Sequence, residues 1–93
     1  MHRLEWKKQA HNDLLKIVTH IAEDNETAAE QLADLIFDRA EQLRKHLEMY
    51  KTGRKRGTRE MVVHPHYIVI YRAKKSVVEI LRVKHTAQQW PPA

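Results

Sequence analysis

The spacing of apolar residues changes near Tyr50, and this change constrains the fold more than any other feature of the sequence. From Gln9 to Ala22 apolar side chains recur every three or four positions, and the same spacing continues through Ala28–Leu47. Such spacing places apolar side chains on one face of a helix. Beyond Tyr50 the spacing becomes two and β-branched residues are frequent, which is typical of strands. The chain is therefore expected to pass from helices to strands.

The turn signals between these runs predict the order of the elements. Only Glu23–Asn25 separates the helical runs, which predicts an antiparallel helical hairpin, and Asn25 is a suitable N-cap for the second helix. The predicted strands are His2–Trp6, Thr58–His64, Tyr67–Arg72 and Val77–His85. These elements give a β-α-α-β-β-β order and an α+β fold, in which the helical hairpin packs on one face of an antiparallel sheet. With 93 residues, we expect a single domain over residues 1–93.

The composition excludes several classes of protein and site. The sequence has no cysteine, so disulfides and thiolate metal sites are excluded. Met1–Trp6 lacks the apolar run of a signal peptide, and nowhere do about 18 apolar residues follow one another. We therefore expect a cytoplasmic protein that does not contact the membrane.

The charge is divided unevenly along the chain. Residues 1–50 hold seven basic and ten acidic side chains, a net charge of −3, whereas residues 51–93 hold ten basic and two acidic ones, a net charge of +8. A basic surface attracts polyanions, which include nucleic acids, nucleoprotein complexes and acidic protein segments. A solvated surface without a dedicated partner is the alternative.

The most basic stretch is the loop Lys51–Gly57, in which two glycines frame Arg54, Lys55 and Arg56. These three cations are candidates for contact with DNA, RNA or an acidic partner, and a solvated loop is the alternative. The loop lacks the Walker pattern, so nucleotide hydrolysis is not indicated and no cofactor is expected.

The basic half contains three histidines that are candidate metal ligands. His64 and His66 flank a proline turn, and His85 ends the last predicted strand. No carboxylate or cysteine lies near them in the sequence to complete a ligand set. We therefore expect no metal site.

Three segments of the chain resemble the RelE/ParE toxins, and the ParE branch most closely. The first is Ala10–Leu14 with Ile21–Ala29, the second is Gly57–Arg72, and the third is Val78–Pro91. The third is similar to the family's "VEILRVLHGAQ" ending and is the most specific of the three. Together they span nearly the whole chain.

The resemblance implies the toxin of a type II toxin–antitoxin pair, held inactive by a cognate antitoxin whose C-terminal segment folds onto it. An acidic amphipathic segment would suit the basic half of this chain. In the family, promoter DNA is bound through the antitoxin. Trp90 is either an anchor for the C-terminal tail or a contact for the antitoxin.

The resemblance leaves two targets open. RelE-type toxins cut messenger RNA in the ribosome, and two basic residues usual in them are replaced here by Ile68 and Met61, although Arg59 is near the second. ParE toxins poison DNA gyrase without a catalytic constellation of their own. We therefore predict a gyrase poison, with a ribosome-dependent messenger-RNA endonuclease as the alternative and a non-toxic interaction module as the third hypothesis.

If the chain cuts RNA, the resemblance and the residue types indicate His85, Arg82 and Arg59 as the catalytic residues, since RNA cleavage needs acid–base groups and cations around the phosphate. Arg59 is also a candidate for polyanion binding. The alternatives are packing or capping by His85 and cross-strand pairing by Arg59. Strand alternation puts Arg82 and Lys84 on one side of the sheet and His85 on the other, which disfavours one compact site.

Overall fold

The computed structural model describes residues 2–46, 53, 55–88 and 90–91. The elements in chain order are β1 (Arg3–Trp6), α1 (Lys8–Ala22), α2 (Glu26–Gln42), β2 (Arg59–His64), β3 (Tyr67–Ala73) and β4 (Val77–His85). The predicted α+β class and the β-α-α-β-β-β order are confirmed. Within the described residues, neither helix has the length and apolar character needed to cross a membrane.

The four strands form one sheet in the order β1-β4-β3-β2. The pairs β2–β3 and β3–β4 are antiparallel, as predicted, but β1 lies parallel to β4, with Arg3 opposite Val77 and Trp6 opposite Ile80. The sheet is therefore mixed, whereas the sequence analysis expected an antiparallel one. The spacing of apolar residues shows which side of a strand is buried, but it carries no information on the direction of the neighbouring strand.

The helical hairpin covers one face of the sheet. Asn25 caps α2 as predicted, because its side-chain oxygen accepts the backbone N–H of Ala28 at 3.0 Å. The helix ends at Gln42, with Leu43 as its C-cap, so it is shorter than the apolar run that continues to Leu47, a residue outside the described ones. The main core between helices and sheet consists of Ala10, Leu14, Leu32, Ile36, Ala40, Leu43, Met61, Val63, Val69, Tyr71, Val78, Ile80 and Val83.

A β-bulge in β4 determines which side chains reach the other face of the sheet. Tyr71 pairs with Ile80 and Ile70 pairs with Arg82, so Leu81 is an extra residue without a partner on β3. A bulge of this kind turns two successive side chains to the same side of the strand. Leu81 therefore lies with Ile70 on the open face, away from the helices, and Arg82 lies beside it.

Candidate polyanion-binding cleft

Trp90 lies at the centre of a group of cations on the open face of the sheet. The residue packs on Ile68 and Ile70 and is only 8% exposed. The ring centroid is 5.8 Å from Nζ of Lys55 and 5.9 Å from both Cζ of Arg82 and Nζ of Lys84. A cation within about 6 Å of an aromatic ring is attracted by the negative face of the ring. Trp90 thus anchors the tail on the sheet and favours a group of three positive charges there.

An open cleft of about 390 Å³ runs from this group to the beginning of α1. Its walls are formed by Lys7, Lys8, Gln9, Lys55, Arg72, Leu81, Arg82 and Trp90. The N-terminal end of α1 adds positive potential, because no side chain caps it and its first turn has no acidic residue. A cleft with basic walls and a positive helix end is suited to an anionic ligand.

Glu79 neutralises one side of this region. Its carboxylate is nearly buried and pairs with Lys7 at 3.0 Å, with Arg72 at 2.8 Å and with Lys74 at 3.4 Å. Hydrogen bonds from Lys7 and Arg72 lower the pKa of Glu79 from 4.5 to about 2, despite the opposing effect of desolvation. The same contacts with Glu5 and Glu79 raise the pKa of Lys7. These cations are therefore held by carboxylates.

Arg82 is held from the other side by Asp13 of α1. Nε and Nη2 of Arg82 donate to the two carboxylate oxygens at 2.7 and 2.9 Å. The backbone N–H of Val83 donates to the same carboxylate at 3.0 Å. Val83 follows the part of β4 that pairs with β1, so in the described structure this edge of the strand has no neighbouring strand there. The hydrogen bonds from the Arg82 guanidinium to Asp13 raise the pKa of Arg82. The Asp13 carboxylate therefore holds the Arg82 guanidinium in place and also accepts the backbone N–H of Val83.

Lysines near the cleft carry positive charge that no carboxylate of the described residues binds. Within the described parts of the chain, Lys8, Lys55 and Lys84 form no ion pair with a carboxylate. Lys8 begins α1 at the cleft wall, while Lys55 and Lys84 lie beside Trp90. The cleft region therefore carries unpaired positive charge from three different elements of the fold.

The position of Lys55 depends on the turn that precedes β2. The backbone N–H of Gly53 donates to the carbonyl of Thr58 at 2.7 Å, and the Thr58 hydroxyl donates to the carbonyl of Lys55 at 2.6 Å. A Cβ atom at Gly53 would collide with the hydroxyl of Thr58, and Gly57 has a φ of 82°, which favours glycine. Gly53 is thus required by the close approach of Thr58, and Gly57 by its positive φ.

The other predicted cations of the loop are not part of this group in the described structure. Arg56 is exposed, and Arg54 lies outside the described residues. Arg59 pairs with Tyr71, whose side chain lies in the core below the helices, so Arg59 is on the helix side of the sheet. Of the four predicted polyanion-binding residues, the cleft contains Lys55.

The three predicted catalytic residues do not converge. Arg82 and Lys84 lie on the open face, as strand alternation predicts, whereas His85 pairs with Tyr67 on the helix side. Arg59 lies opposite Tyr71, four residues along β3 from Tyr67, which corresponds to about 13 Å. A site that uses all three side chains is therefore not assembled in the described structure.

His85 belongs instead to a group of aromatic rings at the other end of the sheet. Its ring stacks on His66 at 5.6 Å and meets the edge of Tyr67 at 5.3 Å between centroids. Its Nδ1 accepts the backbone N–H of Ala87 at 2.9 Å, so the neutral ring carries its proton on Nε2. These are contacts of packing and capping, and a catalytic role for His85 stays a prediction.

His64, His66 and His85, the candidate metal ligands of the sequence, all lie at this end of the sheet. Nδ1 of His64 accepts the backbone N–H of His66 at 3.1 Å, which removes this nitrogen from metal binding. In the portion of the chain that the structure describes, no three histidine, cysteine or acidic side chains are arranged to hold a metal ion. The geometry gives no support for a metal at this end of the sheet.

A larger hollow of about 470 Å³ lies at the end of α2. Its walls include Asp38 and Glu41 as well as Arg44 and Lys45, and Arg44 pairs with Glu41 at 3.1 Å. Its charges therefore offset one another, and the smaller cleft beside Trp90 fits a polyanion better.

Two residues that organise the cleft were absent from the sequence-based candidates. Asp13 is 69 positions from Arg82 in the chain, so no local pattern links them. Glu79 carried a weak signal, because it is an isolated acidic residue within the apolar strand Val77–Val83 of a basic half. An acidic residue there is expected to be paired if it is buried.

Comparison with known proteins identifies the family. The family described as the ParE toxin of the type II toxin–antitoxin system parDE matches residues 4–90. A Sinorhizobium fredii protein, Y4kP, is 34% identical over 96% of this chain and 93% of its own length. Toxin RelE3 of Caulobacter vibrioides is 32% identical over 96% of this chain and 99% of its own length. The match therefore extends over nearly the whole of these proteins.

Solved structures agree in fold. A chain of the chromosomal ParDE system from P. aeruginosa has a TM-score of 0.79 and 20% identity, covering 91% of this chain and 96% of that one. The E. coli DinJ–YafQ complex contains a chain with a TM-score of 0.55 and 17% identity, covering 97% of this chain and 99% of that one. The resemblance to the RelE/ParE toxins is thus confirmed, and the chain belongs to the ParE toxin family of type II toxin–antitoxin systems.

Proposed function

We propose that this chain is a cytoplasmic toxin that inhibits growth by binding and poisoning DNA gyrase, and that it uses the cleft beside Trp90 for this contact. The observation that carries the proposal is an open cleft lined by Lys8 and Lys55, with Lys84 beside Trp90 at its wall. These three lysines have no carboxylate partner among the described residues. Gyrase working on DNA offers a target rich in phosphate, to which such a cleft is attracted. The dispersal of Arg59, Arg82 and His85 is consistent with a binding mechanism.

The same cleft is suited to regulation by a cognate antitoxin. An acidic segment that folds on this chain would bring carboxylates to the three unpaired lysines and cover the target-binding surface. A chain of similar fold was solved in the E. coli DinJ–YafQ toxin–antitoxin complex, which supports a partner of this kind. Promoter DNA is then contacted through the antitoxin.

The alternative is a ribosome-dependent messenger-RNA endonuclease. One observation favours it, namely the group of His66, Tyr67 and His85 rings at the end of the sheet, where an imidazole is available for acid–base chemistry. In this case the Nε2 of His85 would exchange a proton with the RNA.

Two assays on the purified chain separate the proposals. We expect inhibition of gyrase supercoiling together with accumulation of cleaved DNA, and no cleavage of messenger RNA in a reconstituted translation system. The double variant Lys55→Gln/Lys84→Gln should lose most of the gyrase effect. Cleavage of messenger RNA only during translation, with supercoiling unchanged, would overturn the gyrase proposal in favour of the endonuclease.

A further inference from the structure

The indole ring of Trp90 carries a hydrogen-bond donor that the fold leaves without an acceptor. The residue is only 8% exposed, and no atom in the described part of the chain accepts a hydrogen bond from its Nε1–H. A buried tryptophan usually finds a partner for this group, because a buried donor without an acceptor has lost water and gained nothing in return. A ligand that brings an acceptor to the cleft would account for such a donor.

The beginning of α1 contributes further donors to the same cleft. The first helical hydrogen bond runs from the backbone N–H of His11 to the carbonyl of Lys7 at 3.0 Å. The backbone N–H groups of Lys8 and Gln9 therefore have no acceptor within the helix, and the N-cap side chain of Lys7 does not cap them. Lys8 and Gln9 are exposed and line the cleft together with Trp90. Backbone N–H groups at the beginning of a helix are suited to anions.

We propose that the cleft binds a phosphate group of a DNA strand, with the Trp90 indole and the first backbone N–H groups of α1 as neutral donors. Lys8 and Lys55 at the cleft, and Lys84 beside Trp90, supply the charge. The inference rests on the proposed function, because it names the chemical group that the cleft contacts when gyrase works on DNA. The chain should then bind DNA without gyrase and independently of sequence, since phosphate contacts carry no sequence information.

The kinds of donor in the cleft favour phosphate over carboxylate. A planar carboxylate is matched best by the fork of a guanidinium, but Arg72 and Arg82 at the cleft are already held by Glu79 and Asp13. The other donors are ammonium groups and single N–H groups from α1, from the turn before β2 and from Trp90. Lysine side chains, backbone N–H groups and helix beginnings are the donors with which proteins contact DNA phosphates.

The Nε1 atom of Trp90 is covered by the protein itself, so binding requires a side chain to move. Nζ of Lys55 lies 5.8 Å from the ring centroid and Nζ of Lys84 lies 5.9 Å from it. Neither lysine forms an ion pair with a carboxylate of the described residues. Because a lysine has a flexible stem, its ammonium group can turn from the ring towards a phosphate and uncover the indole N–H.

Nuclear magnetic resonance of the isotope-labelled full chain tests the inference, because two tryptophans give two indole N–H signals. Trp90→Phe, which keeps an aromatic ring but removes the donor, identifies the Trp90 signal. We expect a short DNA duplex to move the Trp90 indole proton downfield, as a new hydrogen bond does. The signal of Trp6, whose ring packs against Phe37, should stay in place. Inorganic phosphate should move the Trp90 signal in the same direction but less.

The affinity for the duplex gives a second test. Trp90→Phe should weaken binding about tenfold, because a hydrogen bond to a charged group is lost, whereas Trp6→Phe should not change it. Lys8→Gln and Lys55→Gln should each lower the slope of log K against log salt by about 0.9. The matched control is Lys45→Gln, at the hollow beside the end of α2, which should leave the slope unchanged. Circular dichroism serves as the control for folding.

The inference would be overturned by a Trp90 signal that does not move with the duplex, even if inorganic phosphate moves it. An equal shift with poly-glutamate, or equal affinities of Trp90→Phe and wild type, would also overturn it. A chain that inhibits gyrase but does not bind the duplex contradicts the phosphate site and leaves the gyrase proposal in place. A chain that binds the duplex through Trp90 without affecting gyrase supports the phosphate site and contradicts the gyrase proposal.

Discussion

At the scale of single residues, the cleft depends on two carboxylates that hold cations in place. Glu79 lies among Lys7, Arg72 and Lys74, and Asp13 binds Arg82 from α1. Each carboxylate accepts several hydrogen bonds, which offset the desolvation cost that a buried carboxylate has. Changes at these two positions should therefore affect stability and cleft geometry together.

Glu79 should give a pH-dependent contribution to folding stability. The pKa of its carboxyl is about 2, below the ordinary 4.5, because Lys7 and Arg72 donate hydrogen bonds to it. A lowered pKa stabilises the fold above about pH 4.5, and the contribution is lost as the pH falls towards 2. We expect Glu79→Gln to lower the urea midpoint near neutral pH, and the difference from wild type to shrink between these two values.

Urea titrations at several pH values measure this difference. The control is Glu5→Gln, because Glu5 pairs with Lys7 while its side chain is 41% exposed, so it should matter little at any pH. A difference between wild type and Glu79→Gln that stays constant down to about pH 2 would contradict the explanation by ion pairing.

Asp13→Asn should destabilise the fold by about 1.5–3 kcal/mol, because it leaves Arg82 without its carboxylate and weakens the acceptor for the Val83 amide. Chemical denaturation measures the loss. Glu41→Gln, which breaks the exposed pair with Arg44, should cost less than about 0.5 kcal/mol. Equal effects of the two substitutions would contradict the role of Asp13 as the acceptor for the Arg82 guanidinium and the Val83 amide.

At the scale of elements, the cap of α2 is the feature that the sequence indicates most directly. The side chain of Asn25 accepts the Ala28 amide. We expect Asn25→Ala to cost about 1 kcal/mol and Asn25→Asp to be nearly neutral, since aspartate also caps well. Thermal unfolding of both variants provides the measurement, and a neutral Asn25→Ala would contradict the capping role.

The helices and strands could be predicted because the spacing of apolar residues within each segment indicates its secondary structure. The predicted strand Tyr67–Arg72 ends within one residue of β3, and Val77–His85 coincides with β4. The parallel pairing of β1 and the bulge at Leu81 could not be predicted in this way, since both depend on contacts between distant segments.

The candidate site was predicted less completely than the fold. Charge placed it in the second half of the chain and identified Lys55 as a polyanion-binding candidate. Arg82 was a catalytic candidate and Trp90 a tail anchor or antitoxin contact, and both lie beside Lys55 in the structure. Lys8, at the beginning of α1, lines the cleft because the fold brings it close to Lys55 and Trp90, which are distant from it in the sequence. Local sequence patterns do not indicate which distant segments come close together in the fold.

At the scale of the whole molecule, the helices and the sheet depend on one another for a core. Leu32 and Ile36 of α2 and Ile80 of β4 are all buried in it. Each substitution by alanine should destabilise by about 2–5 kcal/mol, as large-to-small changes in a packed core do. Chemical denaturation tests this, with Val62→Ala as the exposed control, and losses below about 0.5 kcal/mol at all three positions would contradict the packing.

The central proposal is that the chain acts by binding through its basic cleft rather than by catalysis at His85. Growth inhibition at matched expression tests this most directly, with Lys55→Gln/Lys84→Gln compared with His85→Ala. A second double variant, Lys45→Gln/Lys75→Gln, removes the same charge at exposed positions away from the cleft lining and should stay toxic. Circular dichroism serves as the control that each variant is folded.

We expect the cleft variant to lose most of its toxicity, because two of the three unpaired cations are removed, and His85→Ala to retain most of its toxicity. General acid–base catalysis contributes about 10²–10⁴-fold in rate, so a catalytic histidine could not be removed without a large loss. A folded but inert His85→Ala, beside a fully toxic Lys55→Gln/Lys84→Gln, would contradict the proposal.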